Sequence, residues 1–122
     1  MARRRIDPAD GTLALAAWRR DPTGVGRKTL ATAVRFTLEE LGERAPGNSV
    51  EVRVPPFGVT QCIPGPRHTR GTPPNVVETD PATWLALATA GTTWERAMAD
   101  GAIDASGTRA DLGAVLPLFS GA

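Results

Sequence analysis

Residues 76–116 constrain the fold most, because start signals for short strands and helices follow one another closely along this stretch. Residues 76–78 are β-prone. Thr79 or Asp80 can cap a helix that begins at Pro81, where the missing N–H of proline costs nothing. A chain that changes so often between extended and helical patterns predicts a packed half-domain of strands and helices.

Three further elements are predicted in the same stretch. Thr92 and Glu95 form the T-x-x-E pattern of a capping box, which predicts a second short helix. Ile103 and Ala105 alternate with polar residues, as in a strand with one buried face. A last helix is predicted after Gly107, with three apolar residues on one face: Leu112, Val115 and Leu116.

Two longer helices are predicted in the first half of the chain. Asp7 and Pro8 mark the start of the first, and the sequence D-P-T-G at 21–24 ends it. Residues 27–44 form the second, with its apolar positions at helical spacing: Leu30, Val34, Leu38 and Leu41. We therefore expect a basic tail and helix at 1–26 and a domain at 27–122, which together form one globular unit.

A β-hairpin is predicted between these helices and the 76–116 stretch. Residues 49–54 and 57–63 each alternate with period two, and the two prolines between them widen the turn. In the second strand one face holds Phe57, Val59, Gln61 and Ile63, and the other holds Gly58, Thr60 and Cys62. Residues 67–70 could add a short edge strand. The predicted fold class is α+β, with a mostly antiparallel sheet of about four or five strands covered by helices.

Composition excludes several classes of function. The net charge of +1 gives no general field for nucleic acid, and the basic run at 3–5 reads as a solvated tail. One cysteine and one histidine provide no ligand spacing for a metal, and we expect no cofactor. We see no signal peptide and no apolar run near the ~20 residues needed to span a bilayer, so we expect a cytoplasmic protein.

The chain also resembles a known family. Its second half is similar to the C-terminal half of the sterol carrier protein type 2 (SCP2) fold at Asp80, Trp84, Leu85, Gly91, Trp94, Ile103, Gly107, Asp111, Leu112 and Leu116. The segment V-R-V-P-P-F-G-V-T-Q-C-I-P-G-P-R-H-T-R-G-T-P-P-N-V-V-E-T-D at 52–80 resembles a compact actinobacterial branch of sterol carrier family proteins. The resemblance covers residues 27–118 and implies an SCP2-like single domain.

The resemblance implies a non-enzymatic carrier of a lipid, fatty acyl chain or sterol-like compound. SCP2-like proteins line an apolar tunnel with aromatic and aliphatic side chains. The residues expected to line it here are Phe57, Val59, Trp84, Leu85, Trp94, Leu112, Val115 and Leu116. The alternative is that these residues simply form a packed core.

A polar mouth for this cavity is expected in and beside the proline-rich loop at 64–75. Gln61, Arg67, His68 and Arg70 could hold a carboxylate or phosphate head group. The alternative is that the arginines pair with Glu78 and neighbouring acids.

A catalytic pair is the least favoured interpretation of this region. Cys62 and His68 could act as nucleophile and base, but no oxyanion-hole signature accompanies them. A buried cysteine on a strand commonly acts as a small hydrophobe. We expect no enzymatic activity.

A second class of function competes with the carrier. SCP2-like domains also occur as accessory domains that complete another protein's active site. A chain of this kind would act with a partner enzyme or as a homodimer. An open apolar tunnel favours the carrier, and a filled core favours the interaction module.

Overall fold

The computed structural model describes residues 4–65 and 75–120. Within those ranges the chain forms four helices and four strands. In chain order they are α1 (Pro8–Arg20), α2 (Arg27–Arg44), β1 (Val50–Val54), β2 (Gly58–Cys62), β3 (Val76–Thr79), α3 (Pro81–Ala88), α4 (Trp94–Ala99) and β4 (Ile103–Ser106). The α+β class and the SCP2-like single domain are confirmed.

The four strands form one mixed sheet in the order β2-β1-β3-β4. β1 pairs antiparallel with β2 and parallel with β3, and β3 pairs antiparallel with β4. The sheet is therefore mostly antiparallel, as expected, and the predicted hairpin is β1–β2. The short edge strand expected at 67–70 lies outside the described residues.

One face of the sheet belongs to the core. Val50, Val52 and Val54 of β1 expose no surface, and Cys62 of β2, the register partner of Val50, is also fully buried. Because side chains alternate along a strand, Val59 of β2 points to the opposite face. The core face packs with α2 and α3 in a single cluster of buried apolar residues.

Helix α2 runs from Arg27 to Arg44, with the bounds that its apolar spacing predicts. Val34 and Leu41 expose no surface, so the predicted stripe faces the core. A buried hydrogen bond joins α2 to α3, in which Trp84 Nε1 donates to Thr37 Oγ1 over 2.7 Å. This bond pairs the indole N–H, which otherwise would be buried without an acceptor.

Helix α1 packs against α2 at very short range. Gly11, a residue type with poor helix propensity, is buried there. A Cβ atom added at Gly11 would lie 2.2 Å from Cγ of Phe36. The glycine therefore serves the packing of two helices, which outweighs its poor helix propensity.

Two predictions for the second half need correction. The prediction of a last helix is wrong, because residues 107–117 form turns and irregular structure. Asp111 Oδ1 accepts the N–H of Gly113 over 2.7 Å, and this local side-chain bond competes with helical pairing. The cap of α4 is also one residue later than expected, since Thr93 rather than Thr92 accepts the N–H of Arg96.

The length and hydropathy of the helices bear on whether one of them could cross a membrane. Among the described residues, no helix combines the length and the apolar character that crossing a bilayer requires.

Candidate functional site

Three residues expected to line an apolar cavity lie instead in tightly packed surroundings. Trp84 and Leu85 expose no surface, and Leu112 exposes 1%. In the described part of the chain, no void wide enough for a water molecule therefore touches Trp84 or Leu85. This region of the core is filled.

Three other expected residues lie near α4. Trp94 and Leu116 line a small hollow of about 150 Å³ beside Pro117. Val115 is half-buried and packs against the core. A hollow of this size is smaller than the several hundred Å³ of a typical small-molecule pocket.

The remaining two expected residues, Phe57 and Val59, line a surface groove between α2, β2 and the segment that precedes α1. We call it the α2–β2 groove, and its volume is about 530 Å³. Val59 is 59% exposed. The groove is lined by Arg5, Ile6, Arg35, Leu38, Glu39, Phe57, Gly58, Val59 and Thr60.

A glycine brings the two sides of this groove close together. A Cβ atom at Gly58 would lie 3.1 Å from Leu38 Cδ1 and 3.7 Å from Arg35 Cγ. The first distance is tighter than ordinary van der Waals contact, so the hairpin approaches α2 closely because residue 58 has no side chain.

A second hollow of about 470 Å³ adjoins the groove at the turn of the hairpin. We call it the hairpin-tip hollow. It shares Arg35 and Phe57 with the α2–β2 groove, so the two spaces meet at these residues. The hollow is lined by Arg27, Lys28, Ala31, Thr32, Arg35, Pro56 and Phe57.

Two arginines of α2 contact Phe57. Arg35 Nε donates to the Phe57 carbonyl oxygen over 2.8 Å. The Cζ atom of Arg27 lies 5.1 Å from the centre of the Phe57 ring, within the range of a cation–π interaction. Within residues 4–65 and 75–120, neither arginine forms an ion pair.

Carboxylates of α2 hold the segment that forms one wall of the groove. Glu39 accepts the backbone N–H groups of Arg5 and Ile6 over 3.0 and 3.1 Å. Glu40 binds the side chain of Arg4. Burial of Glu40 favours its neutral acid, but hydrogen bonds from Arg4 and Arg44 prevail and hold its pKa below the usual value.

Of the four residues expected to form the polar mouth, the described part of the chain includes Gln61. Gln61 is exposed on β2, next to the groove but not among its lining residues. Arg67, His68 and Arg70 lie outside the described residues. Their role in holding a head group stays a prediction.

Cys62 lies on the core face of β2 and exposes no surface. Burial raises the pKa of its thiol to about 11. The thiol is therefore protonated at neutral pH, whereas a nucleophilic cysteine reacts as the thiolate. In the described ranges, no cluster of three or more histidine, cysteine or acidic residues could hold a metal ion.

The cationic part of this site was not predicted. The sequence predicts head-group contacts in and beside the 64–75 loop. It does not single out Arg27 or Arg35. A signal was present, because Lys28 and Arg35 are seven residues apart on a helix and therefore share a face. What the sequence does not give is the proximity of that face to Phe57.

The fold defines a class of protein first: a small α+β domain of the SCP2-like type, with helices on one face of a mixed four-stranded sheet. The chain belongs to the family described as bacterial SCP ortholog, whose sequence model matches residues 26–118. The resemblance expected for residues 27–118 is thereby confirmed. No curated protein matches the chain at a significant level.

Proposed function

We propose that this protein is a non-enzymatic carrier of an amphipathic small molecule and that the α2–β2 groove holds the apolar part of its ligand. The observation that carries the proposal is a groove of about 530 Å³ whose lining includes the apolar residues Ile6, Leu38 and Phe57. Small-molecule pockets commonly have volumes of roughly 300–1,000 Å³. Membership of a carrier family supports the same function.

The groove is a better candidate than the interior beside α3. A ligand there would have to displace Trp84 or Leu85, which have no space around them. It would also compete with the bond between Trp84 and Thr37. Binding in the α2–β2 groove requires neither change.

Burial of the ligand's apolar surface would supply most of the affinity, at about 25 cal/mol per Å² removed from water. Release would depend on the walls of the groove. One wall is the segment at Arg5 and Ile6, which Glu39 holds through two backbone hydrogen bonds.

The test of the groove is a pair of matched substitutions. Ile6→Asn should weaken binding of a fluorescent fatty acid about fivefold, because an apolar side chain that lines the groove becomes polar. Met98→Asn changes an exposed apolar side chain on α4 that lines neither the groove nor the hollow, and it should leave binding unchanged. Equal affinities for the two variants would contradict a ligand site in the groove.

Native mass spectrometry would identify the cargo. Protein purified from its own host should carry a stoichiometric lipid adduct, and extraction would name its chemical class. A clean unliganded mass together with no displacement of a fluorescent fatty acid would contradict the carrier.

The second candidate is an interaction module that acts with a partner enzyme or as a homodimer. The filled core around Trp84 favours it, because that packing leaves no interior space for cargo. This module would bind a protein and no amphiphile. Sedimentation velocity over a range of concentrations would detect a homodimer, and the fatty-acid titration separates the two functions.

A further inference from the structure

We propose that the α2–β2 groove selects single-chain amphiphiles with an anionic head group, a carboxylate or a phosphate, through Arg27 and Arg35. The inference rests on the proposed carrier function and specifies the chemistry of its ligand. It places the head group beside Phe57, where the groove and the hairpin-tip hollow meet.

Arg35 has the geometry for this role. Its Nε donates to the Phe57 carbonyl oxygen, which fixes the guanidinium where it lines both spaces. Among the described residues, no other hydrogen bond engages this side chain. The terminal nitrogens of a guanidinium remain as donors, in a planar arrangement that suits carboxylate and phosphate oxygens.

Arg27 adds a second cation on the same aromatic residue. Its guanidinium lies over the Phe57 ring at 5.1 Å from the centre, while the residue as a whole is exposed. It belongs to the first turn of α2, which contains no acidic residue, and Gly26 provides no side-chain cap. The positive end of a helix disfavours cations, so a bound anion would relieve an arrangement that is otherwise unfavourable.

The charges around the site are unequal. Among the described residues, the linings of the groove and the hollow contain Arg5, Arg27, Lys28 and Arg35, and the single acid Glu39. Glu39 already accepts two backbone N–H groups. An acidic head group therefore meets a positive field with little competition from protein carboxylates.

The apolar walls specify the rest of the ligand. Ile6, Leu38 and Phe57 line the groove together with Arg35, which suits an apolar chain attached to the acid. The groove is a concave space of about 530 Å³. A monomeric single-chain amphiphile fits such a space, and a flat bilayer surface does not.

The test compares lauric acid with lauryl alcohol, which differ in the head group and share the same chain length. In calorimetric titrations below the micelle concentration, the wild-type protein should bind the acid about tenfold more tightly, because hydrogen bonds to a charged group are stronger than those to a neutral one. Arg35→Gln and Arg27→Gln should each weaken binding of the acid more than binding of the alcohol, and so reduce this preference. Arg20→Gln, on exposed α1 surface away from both spaces, is the control.

The outcomes separate the inference from the function on which it rests. Equal binding of acid and alcohol would overturn the head-group selection and leave the carrier intact. Binding of neither compound would overturn both. Loss of the preference in Arg20→Gln as well, or association with phosphatidylglycerol vesicles without binding of the monomeric acid, would also overturn the proposed site.

Discussion

The hydroxyl group of Thr37 takes part in a hydrogen bond between α2 and α3. Trp84 and Thr37 are both fully buried, and the indole N–H donates to the Thr37 oxygen. The same hydroxyl can donate to the carbonyl oxygen of Ala33 or Val34 within α2. The threonine therefore satisfies a buried donor on another helix without leaving its own hydroxyl hydrogen unpaired.

Thr37→Val should destabilise the protein by about 1–3 kcal/mol, because a nearly isosteric side chain leaves the Trp84 N–H buried and unpaired. Urea unfolding would measure the change. Thr89→Val is the matched control, since the Thr89 hydroxyl bonds only to the Leu85 carbonyl of its own helix among the described residues. Equal losses in both variants would show that the bond to Trp84 contributes nothing specific.

Cys62 should make the protein less stable in alkaline solution. Burial raises its pKa from 9.0 to about 11, so the folded state resists ionisation more than the unfolded state does. The buried neutral thiol contributes fully to the free energy of unfolding below pH 9. This contribution, about 2 kcal/mol, is lost as the pH rises towards 11.

The sequence makes this measurement unusually direct, because it contains no tyrosine and Lys28 is its single lysine. Unfolding free energies measured between pH 8 and 11 should fall in the wild-type protein and fall less in Cys62→Ala. Parallel pH profiles for the two proteins would contradict an ionisable thiol held neutral by burial.

At the scale of elements, local patterns predict some structures and tertiary contacts decide others. The bounds of α2 follow from its apolar period, and the β1–β2 hairpin from two alternating segments. The expected helix after Gly107 fails because Asp111 bonds to a nearby backbone N–H. Spacing alone does not reveal that competition.

Gly11→Ala provides a test of the contact between α1 and α2. In an isolated helix this substitution is favourable, but here the added methyl group would overlap the Phe36 ring. Overpacking should therefore destabilise the protein by about 1–3 kcal/mol. Thermal unfolding would detect it as a lower Tm.

Gly91→Ala is the control for this substitution, because a Cβ atom at Gly91 would meet its nearest neighbours at 3.5 Å, an ordinary van der Waals distance. Its effect should stay within about 0.5 kcal/mol. A Gly11→Ala variant as stable as the wild type would show that Phe36 moves freely and that α1 is loosely packed.

At the scale of the whole molecule, α2 connects parts that are distant in sequence. Glu40 binds Arg4 before α1, and Arg44 at the end of α2 binds both Glu40 and the Leu118 carbonyl oxygen. The α2–β2 groove likewise needs Ile6, Leu38 and Phe57 from three separate segments. The sequence could therefore single out Phe57 and Val59, but not the groove that they line together with α2.

The most direct test of the carrier account is a nitrogen–proton correlation NMR titration of the wild-type protein with lauric acid. The account predicts saturable shift changes centred on the amides of Arg35, Leu38, Phe57 and Val59. The indole N–H signal of Trp84 should stay unchanged, because its bond to Thr37 is intact. Changes centred on Trp84, or no saturable change at all, would contradict an amphiphile carrier that binds its ligand in the α2–β2 groove.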